Sequence, residues 1–283
     1  MKLLRYGPAG QEKPGMLDAH GNLRDLSGLL RDIDTGLIAP EGLQALAALD
    51  PERLPRVPGE PRLGVPLNGI GKFIAVGLNY SDHAAEAGMP IPGEPILFSK
   101  ATSCISGAND DVVLPEGSVK GDWEVELGVV IGSLSRGVSE ADALRHVAGY
   151  CVINDVSERE YQLERGGGQW DKGKGFDTFG PIGPWLVSAD EIANPQALDM
   201  WLEVNGERVQ AGNTRTMIFS VAHLVSYISC CMTLMPGDVI ATGTPPGVGM
   251  GFRPPRYLKP GDAMRVGIAG LGEQLQSVTN GGR

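Results

Sequence analysis

The chain has 283 residues, 42 % of them apolar, and a formal net charge of −10 at pH 7. That length and apolar share can fill one large core with a small appendage. The acidic balance and the lack of clustered Lys and Arg exclude a nucleic-acid partner, because such binding depends on cations that displace counterions from phosphates.

Taken in order, Met1 to Pro8 carry charge inside the apolar run and break at Gly7-Pro8, which predicts a first strand rather than a signal peptide. A turn follows at His20-Gly21-Asn22, then helical patterns through Leu29-Leu30 and from Leu43 to Leu49. Pro51, Pro55, Pro58, Pro61 and Pro66 favour an extended connector. The chain divides there into residues 1–66, a small N-terminal α+β domain with its proline-rich connector, and residues 67–283, the larger unit. Beyond the connector, short β-rich runs (Lys72 to Val76, Ile96 to Ser99, Val112 to Leu114, Val125 to Ile131, Gly149 to Ile153) alternate with Gly, Pro and Asp turns. This texture predicts a mainly β barrel or sandwich with short helices.

Thr216 to Met235 lacks Asp, Glu, Lys and Arg but is interrupted by Ser220, His223, Ser226 and Ser229. It reads as a core helix, so no membrane association is expected. Pro236-Gly237-Asp238 and Pro260-Gly261-Asp262 each place Pro-Gly where a type II turn wants them, just before a strand. Gly166-Gly167-Gly168 lacks the spacing of a dinucleotide loop and predicts a mobile loop. Cys104, Cys151, Cys230 and Cys231 show no C-x-x-C spacing and read as buried thiols of a cytoplasmic protein.

Asp122 to Ile131 alternates acidic and apolar residues like a strand, so Glu124 and Glu126 project on one face. Two adjacent carboxylates repel unless a hard cation lies between them; a solvated edge strand is the other reading. Asp155, at the end of the apolar run Cys151 to Asn154, is either a third carboxylate for Mg²⁺ or Mn²⁺ or a helix N-cap. Asn79 to Glu86 reads as a helix start capped by Ser81 or Asp82, with His83 and Glu86 on one face. Such a pair suits a general base acting on water, and equally an exposed helix pair. His20 falls in a turn, and His146 and His223 in apolar helical patterns, as structural residues.

Asn79-Tyr80-x-Asp82-His83-x-x-Glu86, Pro95-x-x-Phe98-x-Lys100, Glu124-x-Glu126-Leu127-Gly128, Asn154-Asp155-x-x-x-Arg159, Lys174-x-Phe176-Asp177-Thr178-Phe179-Gly180-Pro181 and the run from Pro236 to Gly249 follow one another in that order. Together they resemble the fumarylacetoacetate hydrolase family from about residue 70 onward. The first 65 or so residues are similar to the N-terminal domain of its longer bacterial members, described as ureidoglycolate lyases or 2,4-diketo-3-deoxy-L-fuconate hydrolases. The resemblance implies a mixed β-roll, a homodimer, a divalent metal on Glu124, Glu126 and Asp155, and a small anionic 2-oxo acid substrate bearing a further carbonyl. Arg159, Lys100 and Thr244 would then be donors to substrate oxygens, His83 oriented by Glu86 the base, and Lys174 the group that stabilises or protonates the enolate left by C–C cleavage. Lys172 competes with Lys174 for that role, and Arg165, Gln169 and Trp170 could shape specificity. Hydrolysis of an acylpyruvate-like 2,4-dioxo acid, such as a 2,4-diketo-3-deoxy sugar acid or fumarylpyruvate, is the expected reaction. Ureidoglycolate lyase, oxaloacetate-type decarboxylase and tautomerase reactions at the same site are the alternative, and a metal-binding protein without catalysis is a third.

Overall fold

The computed structural model describes residues 1–281. The fold is mainly β and built on two mixed sheets, neither of which closes into a barrel. The large sheet runs, in spatial order, Leu23–Asp25, Lys13–Leu17, Lys2–Tyr6, Gly180–Ser188, Val147–Asn154, Val125–Ile131, Val239–Ala241, Phe73–Gly77 and Ile96–Lys100, with Ile105–Gly107 beside Gly180–Ser188. The second sheet comprises Glu207–Asn213, Asp199–Val204, Ala263–Ile268, Gly272–Asn280 and Val112–Leu114. Its Met200, Leu202, Val204, Met264, Val266 and Ile268 enter the same core as the large sheet's Leu127, Val129, Ile131, Cys151 and Ile153. Alternating buried positions along Ala263–Ile268 and Gly272–Asn280 fit sheets with one wet face, whereas Val125–Ile131 and Val147–Asn154 are buried at every position.

The first strand joins this architecture directly: Lys2 and Leu3 pair antiparallel with Val187 and Leu186. Leu3, Met16, Leu26, Ile33, Ile38 and Leu46 belong to the common core. The proline-rich connector runs extended along the N-terminal hairpin, with Val57 N donating to Leu23 O and Gly64 N to Arg5 O. The division at residue 66 is therefore not a break in the sheet or the core; Gly282 and Arg283, at the end of the expected 67–283 unit, lie outside the described residues.

Several local expectations change. Leu29-Leu30 lie in a single turn rather than a helix, since the N–H groups of both close on Leu26 O and the chain then turns at Asp32, whose carboxylate is tied to Arg5. The helix in the next pattern is Pro40–Ala47, with Pro at its first position. The expected Thr216-to-Met235 helix is Val221–Cys231, started by Ser220, whose hydroxyl accepts from His223 N at 3.1 Å. Its end exposes Cys230 and Cys231, so only Cys104 and Cys151 are buried thiols. His146 sits in a 3-10 turn with Nδ1 2.8 Å from Ser133 Oγ, and His223, half-buried on its helix, faces Glu140 at 3.2 Å. No described helix is long and apolar enough to cross a membrane. Both Pro-Gly turns form as read: Gly237 and Gly261 have φ of +88° and +94°, and strands follow.

Candidate active site

The acids converge because of strand register. Val125–Ile131 pairs antiparallel with Val147–Asn154, Glu126 opposite Ile153 and Val125 opposite Asn154. The pairing extends one step further, Asp155 N donating to Glu124 O at 2.9 Å. Glu124 lies just before the strand, not inside it as the alternation suggested, yet its carboxylate stays on the face of Glu126. Asp155 caps no helix, since the strand Ser157–Glu158 follows. Oxygens of Glu124, Glu126 and Asp155 lie within 4.8 Å of one another, all three residues buried.

Two lysines bracket Asp155. Lys174, buried at the end of the helix Asp171–Lys174, donates to Glu124 Oε2 at 2.7 Å and Asp155 Oδ2 at 2.8 Å. An ammonium has three N–H groups, so one remains. Lys100 donates to Asp155 Oδ1 at 2.6 Å, to Val156 O at 3.3 Å and to Lys174 O. All three of its donors are taken, and it does not line the cavity. Lys100 therefore fixes Asp155 from behind, which corrects its expected role as a donor to substrate. Lys172 points away, bonded to Arg165 O at 2.6 Å.

Arg159 uses Nε on Asp122 at 2.8 Å, Nη1 on Gln162 Oε1 at 2.9 Å and Nη2 on Glu124 Oε1 at 2.7 Å. Of five guanidinium N–H groups two remain, on Nη1 and Nη2. Thr244 lines the cavity, but its hydroxyl hydrogen goes to Val125 O at 2.9 Å while the oxygen accepts from Gln210 Nε2 at 2.9 Å. Its hydroxyl sets the loop after Val239–Ala241 and is not a free donor, a second correction.

The helix Ser81–Ala87 brings the remaining pair. Its N-cap is Tyr80, without a side-chain cap, rather than Ser81 or Asp82. Asp82 instead accepts from Thr216 Oγ1 at 3.1 Å, anchoring the first turn. His83 Nδ1 lies 3.1 Å from Glu86 Oε2, and Gly247 N donates to both Glu86 oxygens at 3.0 and 3.2 Å. Gly247, at φ +102°, has room for no Cβ, which would lie 1.9 Å from Val209 O. Both His83 and Glu86 line the cavity that Glu124, Glu126, Arg159, Lys174 and Thr244 line.

That cavity has a volume of about 270 Å³. Trp170 also lines it, edge-on to Phe98 at 5.3 Å, with its ring against Gly77, where a Cβ would lie 2.2 Å away. Gly166 to Gly168 form a turn outside it, closed by Gln169 N to Gly166 O at 3.1 Å. The sequence reading missed Gln162, which lines the cavity at 4 % exposure. Its Oε1 is held by Arg159, which leaves the amide nitrogen of this lining residue without a partner among the described residues. Its position three residues after Arg159 was the available signal. Asp122, fully buried, was also passed over; it accepts from Gly249 N at 2.6 Å and Met250 N at 3.0 Å as well as Arg159, joining the cavity rim to its floor.

Charge follows this geometry. Burial tends to raise Glu124, but the Lys174 and Arg159 cations outweigh it and hold the carboxyl at about 2. Glu126 goes the other way, pushed well above the usual carboxylate range by burial and then by Asp155 and Glu124. It has one protein donor, Gly243 N at 2.7 Å, among the described residues. Burial disfavours the Lys174 ammonium, yet Asp155 and Glu124 reverse this and raise it. Four buried carboxylates, including Asp122, thus face the three cations Lys100, Arg159 and Lys174. An oxygen-rich, cation-deficient cluster of this kind suits a hard divalent ion.

Residues 72–279 match the family described as fumarylacetoacetate (FAA) hydrolase C-terminal. The chain belongs to the fumarylacetoacetate hydrolase family. A protein of Burkholderia ambifaria, named no further than hydrolase, is 66 % identical over 281 residues, 99 % of each chain. The crystal structure of maleylpyruvate hydrolase from Sphingobium sp. SYK-6, in complex with manganese (II) and pyruvate, superposes with a TM-score of 0.83 at 31 % identity, covering 100 % of both chains. That of 2-hydroxyhepta-2,4-diene-1,7-dioate isomerase from Mycobacterium marinum does so with a TM-score of 0.76 at 31 % identity and the same coverage. The fumarylacetoacetate hydrolase family thus includes both hydrolases and isomerases, and this member is an enzyme with a candidate acidic metal site.

Proposed function

We propose that the protein hydrolyses a C–C bond in an acylpyruvate-type 2,4-dioxo acid, with Mg²⁺ or Mn²⁺ held by Glu124, Glu126 and Asp155. The observation that carries this reading is that a histidine-carboxylate pair, His83 and Glu86, lines the same small cavity as the three acids and the two donor-bearing cations. A decarboxylase acting on a 2-oxo acid needs the acids and cations but no such base, while an isomerase would use the base to shuttle a proton and needs no attacking water, so the products formed separate it from a hydrolase.

When bound, the metal supplies Lewis acidity toward the carboxylate and 2-oxo oxygens of the substrate. The chain's own residues do the rest. The free N–H groups of Arg159, Lys174 and Gln162 orient those oxygens at the buried floor. Glu86, fixed by Gly247, holds His83 with Nδ1–H donated to it, leaving Nε2 to take a proton from water. The hydroxide adds to the 4-carbonyl carbon. Collapse of that adduct forms the carboxylic acid and breaks the bond between carbons 3 and 4, its electron pair passing to carbon 3 and the 2-oxo group. Lys174, whose charge is secured by Asp155 and Glu124, stabilises this developing negative charge, and protonation at carbon 3 gives pyruvate.

Incubation of the metal-loaded protein with a panel of 2,4-dioxo acids, oxaloacetate and ureidoglycolate tests the reading. Equal amounts of pyruvate and carboxylic acid are expected from at least one 2,4-dioxo acid. Turnover of oxaloacetate or ureidoglycolate with no dioxo acid cleaved would overturn it.

A further inference from the structure

The cavity is graded from floor to rim. Glu126 and Arg159 are 2 % and 4 % exposed, His83 and Glu86 are partly exposed, and Met250 and Met89 reach 37 % and 51 %. At the rim the lining includes Arg253, itself exposed. Its Nη1 turns back onto Met250 O and Gly251 O, both at 3.4 Å, and Phe252 O at 3.1 Å. These long bonds lay the guanidinium on the turn Gly249–Gly251, which packs beside Glu86; a Cβ on Gly251 would sit 3.2 Å from the Glu86 carboxyl carbon.

Arg253 differs from the other cations lining the cavity. Arg159 and Lys174 are each paired with two carboxylates. Arg253 has no carboxylate partner among the described residues, and its Nε and Nη2 donors are unoccupied. Nearby Glu86 is already held by His83 and Gly247. A planar fork of donors left open beside two exposed methionines fits a short apolar segment that ends in a carboxylate.

We propose that Arg253 is a specificity-determining residue that reads a second carboxylate, at the end of the substrate remote from its 2-oxo acid. This rests on the proposed function for the placement of the 2-oxo acid at the floor. The preferred substrates are then dicarboxylates. With a cavity of about 270 Å³, at or below the small end of typical ligand pockets, their two acid groups lie only a few carbons apart.

The test uses two probes that carry no cleavable 2,4-dioxo unit, 2-oxoadipate and 2-oxohexanoate, which have the same carbon count and differ only in the terminal carboxylate. Their affinities for the Mn²⁺-loaded full chain are measured by calorimetry. The wild type should favour 2-oxoadipate by about five- to twenty-fold at low salt, and the preference should shrink as ionic strength rises. Arg253→Ala should bring the ratio close to one by weakening 2-oxoadipate, and Arg253→Lys should restore part of it, keeping the charge but not the fork. Equal affinities in the wild type, undetectable 2-oxoadipate binding, or a preference that survives Arg253→Ala would each overturn the proposal. Failure of the hydrolytic reading shows instead as absent cleavage of dioxo acids, an assay that shares neither probe.

Discussion

Lys100 and Lys174 hold Asp155 from opposite oxygens, Oδ1 at 2.6 Å and Oδ2 at 2.8 Å. Both side chains of the Lys100–Asp155 pair are fully buried. Lys100→Met should therefore leave Asp155 Oδ1 buried without its partner, Lys174 being the one cation still bonded to that carboxylate, and destabilise the protein by about 3 kcal/mol in a urea titration. Added Mn²⁺ should raise the melting temperature of this variant more than that of the wild type, because the ion replaces the missing charge. A loss below about 1 kcal/mol, the scale of a solvated surface pair, would remove Lys100 from the support of the site.

His83→Ala should lower hydrolysis of a 2,4-dioxo acid by ~10²- to 10⁴-fold, the usual span for a positioned general base. Glu86→Gln should do the same more mildly, since it alters orientation and charge but leaves the imidazole. Any decarboxylation of oxaloacetate by the wild type should fall much less in both variants. Hydrolytic rates in His83→Ala within a few-fold of wild type would make His83 an ordinary helix residue.

Metal binding should release a proton from Glu126. In the metal-free protein burial and the neighbouring Asp155 and Glu124 charges hold this carboxyl protonated above the ordinary glutamate range. A carboxyl whose folded pKa is raised destabilises the fold as pH climbs from the unfolded value toward the folded one. Metal affinity accordingly rises with pH across that window, and the number of protons released falls to none above it. Glu124 has the opposite sign: its folded pKa of about 2 gives stability that is present above the unfolded value and lost as pH falls toward 2. Calorimetry of Mn²⁺ binding in two buffers of different ionisation heat reads the proton count, and Glu126→Gln should abolish it. A count that does not change in Glu126→Gln would place the proton elsewhere.

Gln162→Leu, close in size, should raise KM for a 2-oxo acid about tenfold or more while changing kcat less, by removing the unpartnered amide donor of a cavity-lining side chain at 4 % exposure. An unchanged KM would show that the amide serves only Arg159.

The legible parts of this site were those set by local periodicity. Glu124 and Glu126 share a face because alternation survives the break before Val125, and Asp155 stands where an apolar strand ends. The six spaced motifs identified the family, and the Pro-Gly pairs located two turns. Donor accounting was hidden: Lys100 reads as a substrate-binding cation until Val156 O and Lys174 O, 56 and 74 positions away, are seen to take its remaining protons. Thr244 is likewise diverted by Val125 O and Gln210, which lie far off in sequence. The helix cap failed for a related reason. Asp82 has the right chemistry for a cap but is drawn to Thr216 instead, a tertiary contact no window of sequence contains. At Leu29-Leu30, the apolar spacing suits a helix, but the chain makes one turn on Leu26 O and Asp32, just beyond it, is tied to the distant Arg5.

The pairing of Lys2–Tyr6 with Gly180–Ser188 bears on how the molecule comes together. A chain made from its N-terminal end presents Lys2–Tyr6 long before residue 180 exists, so the early hairpin with Lys13–Leu17 waits with one edge unpaired. Closing the sheet then demands a contact between distant parts of the chain, the kind of topology that folds slowly and exposes strand edges meanwhile. Folding of the whole sheet, in which Val147–Asn154 leads to Asp155, awaits a late segment, so an N-terminally trimmed version would not be a minimal enzyme but a sheet with a fresh edge along Gly180–Ser188.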